Sequence, residues 1–269
     1  MPPVSPVSSP FDLSPVTTSA VKKILKSRKN DSAPGPYSIY YGYLKHLPCT
    51  HHFLSTLYSK ILLSGISPPS WSFSNITLIH KSGSTSDPSN FRMIALSSSI
   101  GKTFHLILAS RFQSFLLSNK LIDPSLQKAF LSKINGCLEH CSVLNSLLLH
   151  ARTQKKTLHC TWFDLADAFG SISHSLISFT LSRNHFPPEI QSYINCLYSQ
   201  LSATVTSASW TSDSFVMSRG VFQGDPSPLL SSSSVSILFS TFLKRILNMV
   251  TTSMALLLSR FPMLMTSTS

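Results

Sequence analysis

Three short stretches of the chain bring together residue types that can do chemistry. In Phe163-Asp164-Leu165-Ala166-Asp167-Ala168-Phe169-Gly170 an apolar run ends on an acid. A carboxylate at the end of an apolar strand projects into a sheet edge or cleft, where it can hold a cation. An aspartate capping a helix N-terminus has the same look. In Gly220-Val221-Phe222-Gln223-Gly224-Asp225-Pro226 two glycines flank a glutamine. The glycines permit close backbone approach to a ligand and the glutamine both donates and accepts, although a turn entering a helix needs no more than this. In the third stretch Lys81 and Arg92 stand on either side of a polar loop. Two cations on neighbouring strands clamp a phosphate chain, or are simply solvated.

The acidic inventory limits this chemistry. The 269 residues hold 22 Lys+Arg against 10 Asp+Glu, a formal charge of +12, with an isoelectric point near 9.7. Such a balance favours polyanionic partners, nucleic acid or an anionic membrane face. The last acid is Asp225; residues 226–269 contain none. At 42% hydrophobic the chain can bury a core, which excludes wholesale disorder, and its length suits one large domain or two small ones. Five scattered cysteines with no CxxC pair argue against a secreted disulfide scaffold. They fit a reducing intracellular compartment, cytoplasm or nucleus. Cys137 and Cys141 sit at helical spacing but lack a second pair of zinc ligands. No apolar run reaches the ~18–20 residues of a membrane span, and MPPVSPVSSP has neither the basic start nor the apolar stretch of a signal peptide.

The elements that must position these groups follow from periodicity. Residues 1–18 are Pro/Ser-rich and read as a flexible arm or linker. A helix follows Thr17 and Thr18, with Val21, Ile24 and Leu25 on one face; APGP (33–36) ends it. A second helix covers about 51–64 and stops at Gly65. Residues 75–80 alternate as a strand, 81–90 form a polar loop, and 94–96 return as strand. The clearest helix runs over about 98–117, where Ile100, Phe104, Ile107, Leu108, Phe112 and Phe115 recur every three to four residues. Further helices are expected over about 138–155, after Ser173 and after Pro187. A strand over 158–163 leads to Asp164, and a hairpin of 203–208 with 215–217 leads to a turn at Gly220.

Taken in order, these segments resemble the reverse transcriptases of non-LTR, LINE-type retrotransposons. The likeness runs from about Val21 to Leu230. It is carried by KSRKNDSAPGP, LIHKSGSTSDPSNFRMIAL, IGKTFHLILASRF, NKLIDPSLQKAFLSKINGCLEH, WFDLADAFGSISHSLI and GVFQGDPSPLL. It implies an α+β fold of polymerase fingers and palm, with a mixed or antiparallel palm sheet backed by helices. The division it suggests is a linker at 1–18, a helical extension of the fingers at 19–75, fingers and partial palm at 76–250, and an aberrant tail at 251–269.

The resemblance also implies roles. Such polymerases join a nucleotide to a primer end through two Mg²⁺ ions held by three aspartates, the metals ~3.5–4 Å apart. Asp164 matches the first of these catalytic aspartates, with the carbonyl of Leu165 as a further metal ligand. The backbone around Asp167 and Ala168 would lie near the triphosphate. Phe169 matches the aromatic that crowds a ribose 2′-hydroxyl, and a core aromatic would be buried in the same way. Gln223 and Gly224 match the motif shaping the nucleotide pocket and template strand, and Lys81 and Arg92 match the finger cations that bind incoming phosphates. The implied partners are an RNA template, a DNA primer and dNTPs, with no membrane.

The departures matter as much. The family's finger motif has Pro after the Arg, where this chain has Met93. APGP is usually followed by Asp-Gly, here Tyr37-Ser38. One residue is missing between Pro226 and Ser227, which would rotate the following helix by about 100°. Above all, the remaining catalytic aspartates belong to a downstream Tyr-Ala-Asp-Asp hairpin, and residues 226–269 hold no acid. Met263-Leu264-Met265-Thr266 can be encoded so that a reading one base earlier spells Tyr-Ala-Asp-Asp, which suggests a frame slip between Leu230 and Pro262. The expectation is therefore a reverse transcriptase without activity in this chain. The alternatives are an inert retroelement remnant and a noncatalytic basic nucleic-acid-binding module. Without the hairpin, the strand leading to Asp164 is expected to lack a partner, and its helices to show apolar faces.

Overall fold

The computed structural model describes residues 7–124, 136–160, 162, 170–207 and 209–223. They form seven α-helices and four strands: α1 (Thr18–Lys26), α2 (Tyr41–His46), α3 (Pro48–Ser64), β1 (Phe73–His80), β2 (Phe91–Ser97), α4 (Ser99–Ser118), α5 (Gly136–Thr153), α6 (His174–Arg183), α7 (Pro188–Ser199), β3 (Ser202–Thr206) and β4 (Phe215–Val216). This is the expected α+β class with a mixed sheet. The strand order is β2-β1-β3-β4; β1 pairs antiparallel with β2 and parallel with β3, and β3 pairs antiparallel with β4.

Local signals explain most element ends. The Thr17 side chain accepts from the Ala20 N–H at the start of α1, satisfying one of the donors a helix N-terminus leaves open. Ser98 does the same for α4 through the Gly101 N–H. Helix α3 stops where Gly65 turns to φ +64°, a left-handed value glycine adopts without strain. Helix α2, six residues long and without a side-chain cap, has no such signal and was not expected.

The core lies between α1, α3, α4 and α7. Phe104 is its hub, with ring centroids 5.3 Å from Tyr58, 5.5 Å from Trp71 and 5.2 Å from Tyr193. The Tyr58 hydroxyl donates to the Ile100 carbonyl at 2.8 Å, so burial does not orphan it. The His105 ring and the Tyr193 hydroxyl meet at 2.7 Å between α4 and α7.

Two expectations change. Residues 7–17 do not behave as a linker: they lie along α4, with Phe11 buried against Phe112, Phe115 and Phe186. Arg111 donates to the carbonyls of Asp12 and Ser14 and pairs with the Asp12 carboxylate at 3.4 Å. Asn119 holds Ser8 and Ser9. The Pro/Ser composition hid one large apolar anchor. The second change is at 158–163. Its described residues, 158–160 and 162, carry no strand, and Trp162 is 74% exposed. β1 already has β2 on one side and β3 on the other, so this sheet offers the segment no central place. Apolar residues of α5, Leu138, Val143 and Leu147 to Leu149, are exposed.

Candidate nucleotide site

Lys81 and Arg92 are positioned by the β1–β2 hairpin. Its register pairs Ile79 with Arg92 and His80 with Phe91. The Lys81 N–H donates to the Asn90 carbonyl at 2.8 Å, extending the ladder by one residue. Since alternate strand residues share a face, Lys81, Ile79 and Arg92 point to the same side. The connecting loop holds itself together. Asp87 accepts from the Ser89 N–H at 2.9 Å, Asn90 donates to the Ser84 carbonyl, and Gly83, at φ +87°, leaves room for the Asn90 amide. The hydrogen bonds from Ser89 hold the Asp87 carboxyl below the usual range. Asp87 is spent on the loop and lies outside the pocket described below.

Gln223 reaches the same hairpin from the far end of the sequence. Its carbonyl accepts from the Ala95 N–H at 2.8 Å, so residues 217–223 cross from β4 to the outer edge of β2. That bond also fixes the parity of the edge. The N–H groups of Ala95 and Met93 point outward, away from β1, while those of Arg92 and Ile94 point into the ladder. The family's proline at position 93 therefore removes no ladder bond, and Met93 gains none.

The turn before Gln223 is clasped to the segment following the first aspartate motif. Gly220 has φ +85°, and a Cβ there would lie 2.9 Å from the Gly170 carbonyl oxygen. The Gly220 N–H donates to the Ile172 carbonyl at 2.7 Å, Ser173 and Arg219 form an antiparallel bridge, and the His174 ring meets the Gly220 carbonyl at 2.9 Å. His174 also stacks on Tyr198. Sequence reasoning missed Gly170 and His174; the only signal was the Gly-Ser pair after Phe169.

These devices close a pocket of about 320 Å³ whose walls include Lys81, Arg92, Gly170 and Gln223, with Phe91 and Met93 as apolar wall. Three of the expected site residues, Lys81, Arg92 and Gln223, are thus brought together. Asp164, Leu165, Asp167, Ala168, Phe169 and Gly224 lie outside the described residues, as does the tail 251–269. Among the described residues no carboxylate lines the pocket, and no group of three or more His, Cys, Asp or Glu fit for a metal occurs. The described cations, Lys81 and Arg92, suit the phosphates of an anionic ligand.

A family model described as "Reverse transcriptase (RNA-dependent DNA polymerase)" matches residues 79–260. The chain belongs to the reverse transcriptase family. Its similarity is to the non-LTR retrotransposon members. It is 33% identical over 182 residues to the "Retrovirus-related Pol polyprotein from type-1 retrotransposable element R2" of Nasonia vitripennis, covering 66% of this chain and 17% of that protein. It is 29% identical over 200 residues to the corresponding polyprotein of element R2DM of Drosophila melanogaster, 74% of this chain and 18% of that protein. The "RNA-directed DNA polymerase from mobile element jockey" of Drosophila melanogaster matches at 25% over 222 residues, 82% of this chain and 24% of that protein. The chain spans about a fifth of the length of these relatives. Membership of the reverse transcriptases implies dependence on a divalent metal in general. No helix of the described residues is long and apolar enough to cross a membrane.

Proposed function

We propose that this reverse transcriptase domain binds an incoming deoxynucleoside triphosphate in the β1–β2 pocket but does not polymerise. The observation carrying the first half is the pocket itself: Lys81, Arg92, Gly170 and Gln223, from three distant motifs, line one cavity. Lys81 and Arg92 neutralise the triphosphate, and the Gln223–Gly224 turn, pinned to Ala95, borders the base and its template partner. Phe169, immediately before Gly170 in sequence, is assigned the family's role of selecting against a 2′-hydroxyl. Asp167 and Ala168 offer backbone N–H groups to the phosphates. RNA template and DNA primer are the macromolecular substrates, and the protein works inside the cell, in cytoplasm or nucleus. Domain limits follow the sequence division, with fingers and partial palm at 76–250.

The second half rests on the acid-free stretch 226–269. Mg²⁺ would supply two-metal activation of the primer oxygen and the transferring phosphate. Asp164, with Leu165, is the family's carboxylate for it here. A single such carboxylate does not hold two divalent ions against their mutual repulsion. A family match reaching residue 260 favours a frame slip late in the interval from Leu230 to Pro262.

Primer extension on an RNA template with Mg²⁺ and dNTPs, beside equilibrium binding of a labelled dNTP, tests both halves. Binding that falls when Arg92 is replaced, with no extension, is the expected result. Extension that disappears in Asp164→Ala would overturn the inactivity, and dNTP binding indifferent to Lys81 and Arg92 would overturn the site. The nucleotide sequence over the last forty or so codons settles the frame.

A further inference from the structure

Within the pocket the cations and the clasped turn stand at separate points along one strand. Arg92 and Ala95, which holds Gln223, lie three residues apart on β2, about 10 Å along the strand. The turn presents Val221 and Phe222 to the cavity beside Gln223, and both are buried. Its far end cannot slide along the β2 edge. Ala95 and Ser97 share outward parity, and Gly35 packs against the Ser97 carbonyl so tightly that a Cβ there would clash with it. Gly35 and Gln223 thus cover consecutive outward positions of that edge. The near end of the turn is Gly220, and it is held in another way.

Three consecutive residues grip that near end. The Gly220 N–H donates to the Ile172 carbonyl at 2.7 Å, Ser173 bridges to Arg219, and the Gly220 carbonyl lies 2.9 Å from Nε2 of His174. A carbonyl only accepts, so the imidazole donates from Nε2. His174 is the first residue of α6. Its ring lies against that of Tyr198 on α7, with 5.0 Å between centroids and 30° between planes. A phenyl ring would fill that place as well. What the imidazole adds is a donor aimed at the turn and kept in direction by the stack. The residue therefore joins α6 and α7 to the wall that ends at Gln223.

We infer that His174 is a positioning residue for the nucleoside half of the ligand. Its N–H sets the Gly220 carbonyl and, through Val221 and Phe222, the place of Gln223, while the phosphates are left to Lys81 and Arg92. The inference rests on reading the pocket as a nucleotide site and adds a division of labour to it. Among the described residues that line the cavity His174 is absent, so it acts on the ligand through the turn. Losing its donor weakens the hold on base and sugar and spares the phosphates, whereas a general loosening of the fold weakens both.

Isothermal titration calorimetry of the whole 269-residue chain, with deoxythymidine triphosphate and with inorganic tripolyphosphate, measures the two halves separately. His174→Phe keeps a ring on Tyr198 and removes the donor; His174→Asn leaves an amide too short to reach the turn. Each weakens the deoxynucleotide by about threefold to tenfold, the worth of one hydrogen bond, and tripolyphosphate by less than about twofold. His174→Gln returns an N–H at the reach of Nε2 and stays within about twofold of the native chain for both ligands. Thermal melts establish that each variant folds. Lys81→Ala weakens both ligands; its failure to do so would overturn the nucleotide site and the inference with it. With that control intact, native deoxynucleotide affinity in either folded variant lacking the donor would overturn the inference alone. Equal losses for both ligands, or no rescue by glutamine, would do the same.

Discussion

Gly220 packs against Gly170 so closely that a single added carbon would sit 2.9 Å from the Gly170 carbonyl oxygen. Through this contact, two motifs fifty residues apart in sequence become adjoining walls of one pocket. The clasp constrains both partners. Gly220 is held at φ +85°, which an L-residue adopts only with strain, and the backbone facing it cannot recede without breaking the Gly220–Ile172 hydrogen bond.

Gly220→Ala should therefore lower the stability of the fold by about 1–3 kcal/mol, measured by urea denaturation. The same variant should weaken dNTP binding, because Gln223 follows the displaced turn. A stability change below about 0.5 kcal/mol, the scale of an ordinary surface substitution, would mean the clasp opens freely.

Lys81→Ala and Arg92→Ala separate binding from folding. Arg92 is exposed on β2, and the Lys81 ammonium donates to the Ser89 carbonyl at 3.3 Å. Each substitution should leave stability within about 0.5 kcal/mol. Each should also reduce dNTP affinity about tenfold, the value of one charge-assisted contact. Titration of a labelled dNTP at fixed ionic strength checks both.

Ser38 adopts φ +54° at the position where related sequences carry the glycine of Asp-Gly. The turn has kept its left-handed conformation while losing the residue that adopts it without cost. Ser38→Gly should raise stability by up to about 1 kcal/mol, read as an upward shift in melting temperature. A fall would show that the serine makes compensating interactions.

Met93→Pro restores the residue that usually follows the finger arginine. Because the Met93 N–H points away from β1, the substitution removes no ladder bond, and Pro is accepted on such edges. Stability should change by less than about 1 kcal/mol, whereas Ile94→Pro, which removes an inward donor, should cost about 3 kcal/mol or more. Paired thermal melts distinguish the two positions.

Phe11→Ala tests whether the N-terminal arm belongs to the core. Its ring lies 5.4 to 5.8 Å from those of Phe112, Phe115 and Phe186, so its removal should cost about 3–5 kcal/mol. Limited proteolysis should then cut near residue 11 in the variant and spare the native chain.

Much of this architecture was legible in the sequence because apolar periodicity and capping residues acted locally. The stripe from Ile100 to Phe115 marked α4, Gly65 ended α3, and the alternation of Ile76 and Leu78 with polar residues marked β1. What was hidden depends on distant partners. Residues 158–160 and 162 carry no strand despite their apolar run, and strand formation depends on a partner that no local pattern records. Phe11 is one apolar residue in a Pro/Ser-rich run, and its burial is set by Phe186, 175 positions away. Lys81, Arg92 and Gln223, which line one pocket, could be singled out because their chemistry is evident residue by residue. The Gly170–Gly220 contact was not, since glycine advertises nothing about which backbone passes beside it.

The covered edge of β2 has a consequence for how the chain is made. Gly35 is synthesised before the strand it caps, but Gln223 emerges 128 residues after Ala95. At ribosomal speeds of about 5–20 residues per second, that half of the strand stays open for roughly 6 to 26 s. During this interval the nascent polypeptide displays unsatisfied amides to its neighbours on the same polysome. Chaperone demand during translation should thus be concentrated in that window, ahead of any vulnerability of the finished protein.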